Sequence, residues 1–328
     1  MVENNGVPLG RQTSNGDSSR AGQFDNSQGY IGLSHNTYGT LTFGRVNTLT
    51  QDTILSYDPM QAANAFSPLG WSGSYAGMGD TEIARSNTAF KYRLDIGQFR
   101  FGALMQVGGY DQGNGADAQS QVQLGADFGP LSLDAMAGWA RDAVALANYT
   151  TLPKGYDQND LKARLSNNSG LMLVAKYAIG SLRLYGGYEY YRQSDPSGHY
   201  PFGFTTIGGF DVRAAAIAYN AYAIPKTMNV YWTGARYALT DQIDLAAAFY
   251  WQQQNDYSAK RCAGIGVHTS SSACAGSMEA LSLLIDYKPF KRVDLYAGVM
   301  ASSVFGGLAS GYQQAQNIAP TAGLRIKF

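Results

Sequence analysis

From Gln98 onward the chain alternates apolar and polar residues in runs of about ten, and the connections between runs alternate in length, one short and the next long. Leu131-Ser-Leu-Asp-Ala-Met-Ala-Gly-Trp139 sets Leu131, Leu133, Ala135, Ala137 and Trp139 on one face of a strand, with Ser132, Asp134 and Gly138 on the other. Ile243-Asp-Leu-Ala-Ala-Ala-Phe-Tyr-Trp251 repeats the pattern, with Asp244 on the polar side, and so does Val293-Asp-Leu-Tyr-Ala-Gly-Val299. A period of two sustained over most of a chain leaves few choices beyond an array of antiparallel hairpins.

This reading predicts thirteen strands, near residues 28–36, 39–47, 88–95, 98–108, 120–128, 131–141, 169–179, 181–192, 227–239, 241–253, 279–288, 291–302 and 319–328. Short turns such as Phe128-Gly-Pro-Leu131 and Ile179-Gly-Ser-Leu182 fall at one end of the array. Long connections over residues 48–87, 109–119, 142–168, 193–226, 254–278 and 303–318 fall at the other.

A soluble sandwich also alternates, so the apolar face must be located before the class can be chosen. Tyr177, Tyr188, Tyr190, Tyr237, Phe249, Trp251 and Tyr287 lie on the apolar phase close to strand ends, where amphipathic rings suit a membrane interface. Charges keep to the opposite phase: Lys91, Arg93, Arg100, Lys176, Arg183, Glu189, Arg236, Asp244, Asp286, Asp294, Arg325 and Lys327. A Lys or Arg facing lipid at mid-membrane would cost about 2–4 kcal/mol, so the consistency fits a transmembrane β-barrel with a watery interior. No run of about 18 apolar residues offers a spanning helix. Mean hydropathy is slightly negative at −0.22, as alternation in a barrel allows.

Lys plus Arg equals Asp plus Glu at 24 each, which argues against nucleic-acid binding. No catalytic constellation, metal-ligand spacing or cofactor motif is present; His35, His199 and His268 are isolated, and Gly113-Asn-Gly115 is a turn signal. Neither metal nor cofactor is therefore expected. Cys262 and Cys274 stand twelve positions apart in a Gly- and Ser-rich stretch. A loop disulfide formed in an oxidising compartment is the favoured reading and two free thiols the alternative.

Gln28-Gly-Tyr-Ile-Gly-Leu-Ser34, Gly39-Thr-Leu-Thr-Phe-Gly-Arg45, Gly234-Ala-Arg-Tyr-Ala-Leu239 and the terminal Ala322-Gly-Leu-Arg-Ile-Lys-Phe328 resemble the trimeric general porins of Gram-negative bacteria, particularly their β-proteobacterial branch. The resemblance covers nearly the whole chain. It implies a single barrel domain over 1–328 in the cell outer membrane, a homotrimer surrounded by outer-membrane lipid, and passive diffusion of small polar solutes and ions. Leu324, Ile326 and Phe328 resemble the β-signal read by the barrel assembly machinery.

Such porins have sixteen strands, so the resemblance implies three strands before the thirteen, with residues 1–27 reading as the end of a third strand and a second extracellular loop. The same likeness makes residues 48–87 the constriction loop and 319–328 the signal-bearing last strand. Asp52, Asp58, Asp80 and Glu82 would then face a basic wall containing Arg45, with Arg85 and Lys91 as further members. Strict alternation from Leu41 and Phe43 would point Arg45 outward, and a bulge is needed to re-aim it.

Residues 213–224 are unusually apolar for a surface loop; a short helix, an extension of the next strand and a contact between protomers all stay open. A substrate-selective channel is the alternative within the same class. Outside it stand a barrel-borne lipid hydrolase, which needs Ser and His side by side on the lipid face, and a soluble all-β binding protein, which needs its apolar face inside.

Overall fold

The computed structural model describes residues 28–63, 65–70, 85–107, 118–148, 161–197, 206–207, 210–219, 222, 224–258, 262, 271–310 and 314–326. In chain order these form β1 (Gly29–His35), β2 (Gly39–Asn47), helix α1 (Leu49–Tyr57), β3 (Arg85–Ile96), β4 (Phe99–Gln106), β5 (Gln119–Phe128), β6 (Leu131–Asn148), β7 (Leu161–Ile179), β8 (Leu182–Ser194), β9 (Thr206–Ile207), β10 (Phe210–Tyr219), β11 (Lys226–Ala238), β12 (Ile243–Gln254), β13 (Gly276–Phe290), β14 (Val293–Gly306) and β15 (Gln316–Ile326). One antiparallel path runs β1 to β8 and then β11 to β15, each strand hydrogen-bonded to the next. All thirteen strands expected from alternation are on it.

Register follows from the turns. Gly97, Gly129 and Gly180 each take a left-handed φ of 55–61° as the first residue of a two-residue connection, the position at which a type II′ hairpin turn requires glycine. With register fixed, alternation decides which face each side chain occupies. Leu124, Leu133, Leu171, Leu173, Phe249, Leu281 and Leu283 are exposed on the outer surface, while Gln121, Gln123, Asp134, Met136, Met172, Glu189 and Tyr250 are buried on the inner one. A soluble all-β protein would place its large apolar side chains the other way round. Tyr188, Tyr231 and Trp251 occupy one cross-strand row, with ring centroids 5.0 and 5.4 Å apart. Tyr177, Tyr237 and Tyr287 lie near the short-turn ends. Tyr231 and Tyr237 on β11 are six residue steps apart, about 20 Å at the rise of a strand, which approaches the height of a barrel's apolar band.

The long connections are shorter than alternation suggested. Strands β6 and β7 continue past a bulge at Arg141 and Asp142 and stay paired from Ala143 to Asn148, because Ala and Leu dominate there and the polar phase fades. β8 covers β7 only from Asn167 to Ile179, so the start of β7 presents open backbone. β10 fills that edge, pairing parallel with Leu161–Leu165, and β9 pairs antiparallel with β10. Most of the apolar stretch at 213–224 is therefore strand, paired with a distant one. An uncovered edge demands backbone partners, and β10 supplies them.

Among the described residues, β1 and β15 border the sheet, each paired on one side. Residues 1–27, read above as strand end and loop, lie outside the described residues. Cys262 and Cys274 are joined by a disulfide with Cα atoms 5.7 Å apart. Gln254 donates to the carbonyl oxygens of Ser272 and Cys274 and so ties this loop to the end of β12.

Candidate functional site

The connection after β2 does not stay on the rim. It enters the concave side of the sheet as α1, opened by Thr48, whose hydroxyl accepts the Gln51 N–H. The inner wall receives it with amides. Gln121 of β5 accepts the Leu49 N–H at 2.7 Å and donates to the Thr50 hydroxyl at 3.1 Å, while Gln123 donates to Thr53 at 3.2 Å. Leu49, Ile54, Met60, Phe66 and Leu69 then pack against Met136, Met172, Met228, Trp232 and Met300 in one continuous apolar cluster. Each such side chain contributes roughly 1.5–3 kcal/mol on full burial. The loop is thereby fixed inside the sheet.

Three consecutive residues at the end of α1 are pinned to the far wall. The Tyr57 carbonyl accepts from the Trp232 indole at 3.1 Å, and the Pro59 carbonyl accepts from Arg236 at 3.1 Å. Between them the Asp58 carboxylate accepts from the Tyr250 hydroxyl at 2.6 Å and from the backbone of Met60 and Ala62 at 3.1 and 2.8 Å. Gly234 makes the approach possible, since a Cβ there would stand 2.7 Å from the Pro59 ring. Asp58 is fully buried. Burial lifts its carboxyl above the ordinary value, and the Tyr250 and Ser67 hydroxyls and the two backbone donors pull it down. The expectation of Asp58 as a pore-facing charge is corrected on this geometry: every approach to it is taken by donors from its own chain.

Asp52, in the first turn of α1, behaves differently. It is about one-quarter exposed, and one carboxylate oxygen takes both the Lys91 ammonium and, at 2.7 Å, the Arg93 guanidinium of β3. Lys91 also donates to the Asn47 carbonyl at 2.9 Å, closing the helix entrance against the sheet. At the last residue of α1, Arg100 of β4 bridges Asp127 and Asp134 and donates to the Tyr57 hydroxyl at 3.1 Å. Burial, followed by the Asp134 carboxylate, holds the Tyr57 phenol well above its usual range, so it stays neutral.

Of the residues singled out from sequence, Asp52 and Lys91 are thus brought into contact. Arg45 sits where the β2–β3 register shifts between Gly44 and Val46, and its Nε is buried. Arg85 lies beside it, opposite Asn47. Leu324 and Ile326 are exposed on β15. Asp80, Glu82 and Phe328 lie outside the described residues. Sequence reasoning placed Arg93, Arg100 and Asp134 on the inner phase without assigning them to the site; what identified them was nearness to α1, which strand phase alone does not carry. His35 ends β1 with its Nδ1 accepting the Thr37 N–H. No group of three potential metal ligands occurs among the described residues.

The profile of the Gram-negative porin family matches residues 2–304. The chain belongs to this family. No similar sequence was found among curated proteins. Among solved structures, in-vitro folded OmpT, an outer-membrane protein of Vibrio cholerae, superposes with a TM-score of 0.63 at 16% identity over 91% of this chain and 79% of that one. The anion-selective porin from Comamonas acidovorans gives 0.61 at 17% identity, over 92% and 78%. Salmonella typhi OmpF, solved with daunomycin, gives 0.55 at 14% identity, over 90% and 76%. These likenesses fix the fold as an outer-membrane β-barrel. This porin is therefore an outer-membrane channel for passive diffusion of small hydrophilic solutes and ions, and the inward loop lies across its interior.

Proposed function

We propose that the constriction of this channel is formed at α1, where Asp52 meets Lys91 and Arg93, and that Arg45, Arg85, Asp80 and Glu82 contribute charge to the same narrowing. The observation that carries the proposal is the anchoring of residues 49–60 on two facing parts of the wall, Gln121 and Gln123 on one side and Trp232, Arg236 and Tyr250 on the other. A segment held so firmly narrows the passage without moving. Opposed charges across an opening comparable to the Debye length of about 8 Å are only partly screened, so polar solutes orient in their field while apolar ones must displace ordered water. The reading involves no catalytic step. It also takes the protein to be a homotrimer whose last strand, through Leu324, Ile326 and Phe328, is recognised by the barrel assembly machinery; native mass measurement in detergent should show three copies.

Asp52→Asn tests the filter. It leaves Lys91 and Arg93 without their shared carboxylate and should raise chloride over potassium permeability about fivefold, the factor that about 1 kcal/mol produces. An unchanged reversal potential in a low-salt gradient would remove Asp52 from the filter.

A further inference from the structure

A polar cavity of about 520 Å³ opens between the end of α1 and the short-turn rim of the barrel. Its position follows from the strands: Arg100 and Ser132 are each the second residue of a strand that starts at a short turn, and Lys176 lies three residues before the end of β7. Asp52 and Arg93 line this cavity together with Arg100 and Lys176, so it adjoins the narrowing at α1. Of the cations lining it, Arg93 is held by Asp52, and Arg100 is held by Asp127 and Asp134. Lys176 differs. Its ammonium lies over the Tyr57 ring, 5.1 Å from the centroid, with no carboxylate bridged to it among the described residues.

The charges that act on Lys176 are two of each sign. Arg183 and Arg100 act on it from the cationic side and Asp127 and Asp134 from the anionic side, and both carboxylates are already bridged to Arg100. At Asp52 two cations share one carboxylate and at Arg100 one cation serves two, so these groups cancel and Lys176 is the charge that leaves the cluster positive. A half-buried ammonium with an aromatic face beneath it is partly stripped of water, which strengthens its pull on an entering anion. The Ser132 hydroxyl lines the same cavity.

We propose that this cavity is a binding station for small organic carboxylates, organised by Lys176, and that Lys176 gives the channel an anion preference. The proposal rests on the channel reading above and names the solute class of its inner half. A carboxylate replaces part of the water around Lys176 on entry and leaves toward the short-turn side, so the station raises local solute concentration without trapping it.

The test uses the full-length protein in planar bilayers, with potassium acetate and potassium chloride as separate electrolytes. In the wild type, conductance in potassium acetate should saturate with concentration, and acetate should be more permeant than potassium. Lys176→Gln should abolish the saturation and lower acetate over potassium permeability about fivefold, and Lys176→Arg should restore both. Lys291→Gln removes one charge from an exposed β13–β14 turn and serves as the control for net charge. Saturation and selectivity unaltered in Lys176→Gln, or shifted equally by Lys291→Gln, would overturn the station while leaving the channel standing. Absence of conductance from the wild type in either salt would instead remove the channel reading, and the station with it.

Discussion

Asp58→Ala should loosen the inward loop and widen the channel, with an expected loss of about 3–5 kcal/mol in stability of the folded barrel. The Tyr250 hydroxyl and the Met60 and Ala62 N–H groups all donate to this carboxylate inside a closed environment. An orphaned buried donor costs about 1–3 kcal/mol, and partial relaxation keeps the sum below the full threefold penalty. Alanine also removes the grip between the Trp232 bond at Tyr57 and the Arg236 bond at Pro59. Single-channel conductance should rise and the heat-induced unfolding transition should fall. Asp58→Asn, which keeps the shape and one acceptor oxygen, should lie between the two. If neither conductance nor unfolding temperature changes in the alanine variant, the pinning of residues 57–59 is not what holds the loop.

Glu189→Met should act with the opposite sign. Glu189 is as buried as Asp58, yet both of its carboxylate oxygens lack a hydrogen-bond partner among the described residues. Its cross-strand neighbours are Met172 on β7 and Val230 on β11, both fully buried and apolar. A carboxyl group with no donor costs free energy in either ionisation state, and a thioether of similar length fills the space without that cost. Stability should rise by about 1–3 kcal/mol. A thermal shift of heat-modifiable migration in detergent reads the change directly, and a lower transition temperature would mean that Glu189 has a partner in the folded barrel. Two interior carboxylates, one on the inward loop and one on the wall, are equally buried and differ by whether donors meet them.

The strands were legible because their causes are local. Alternation, a glycine at the first position of tight turns and charges confined to one phase each act within a few residues, so thirteen strands and their facing could be read from residues such as Leu131 to Trp139. Helix α1 was not read, although Thr48 and Gln51 carry the spacing of a capping box. Leu49, Thr50, Thr53, Ile54 and Tyr57 form one buried face, but two of the five are threonines and Leu55 is exposed on the opposite side, which blurs the amphipathic period that marks a helix against solvent. Asp58 was misread for a related reason: a carboxylate in a polar loop has no sequence signature separating one that meets water from one that meets Tyr250, 192 positions away. The strand nature of 210–219 depends equally on a distant edge, since only the early end of β8 leaves β7 open to it.

Ion conduction through single molecules shows whether this chain forms a water-filled passage narrowed by a fixed inward loop. Recorded in planar bilayers over a series of potassium chloride concentrations, the protein should give discrete open steps. Their conductance should rise with the conductivity of the bathing salt and increase when α1 is released by Asp58→Ala. Insertion of folded protein without conductance steps, or steps that release of the loop leaves unaltered, would contradict the account.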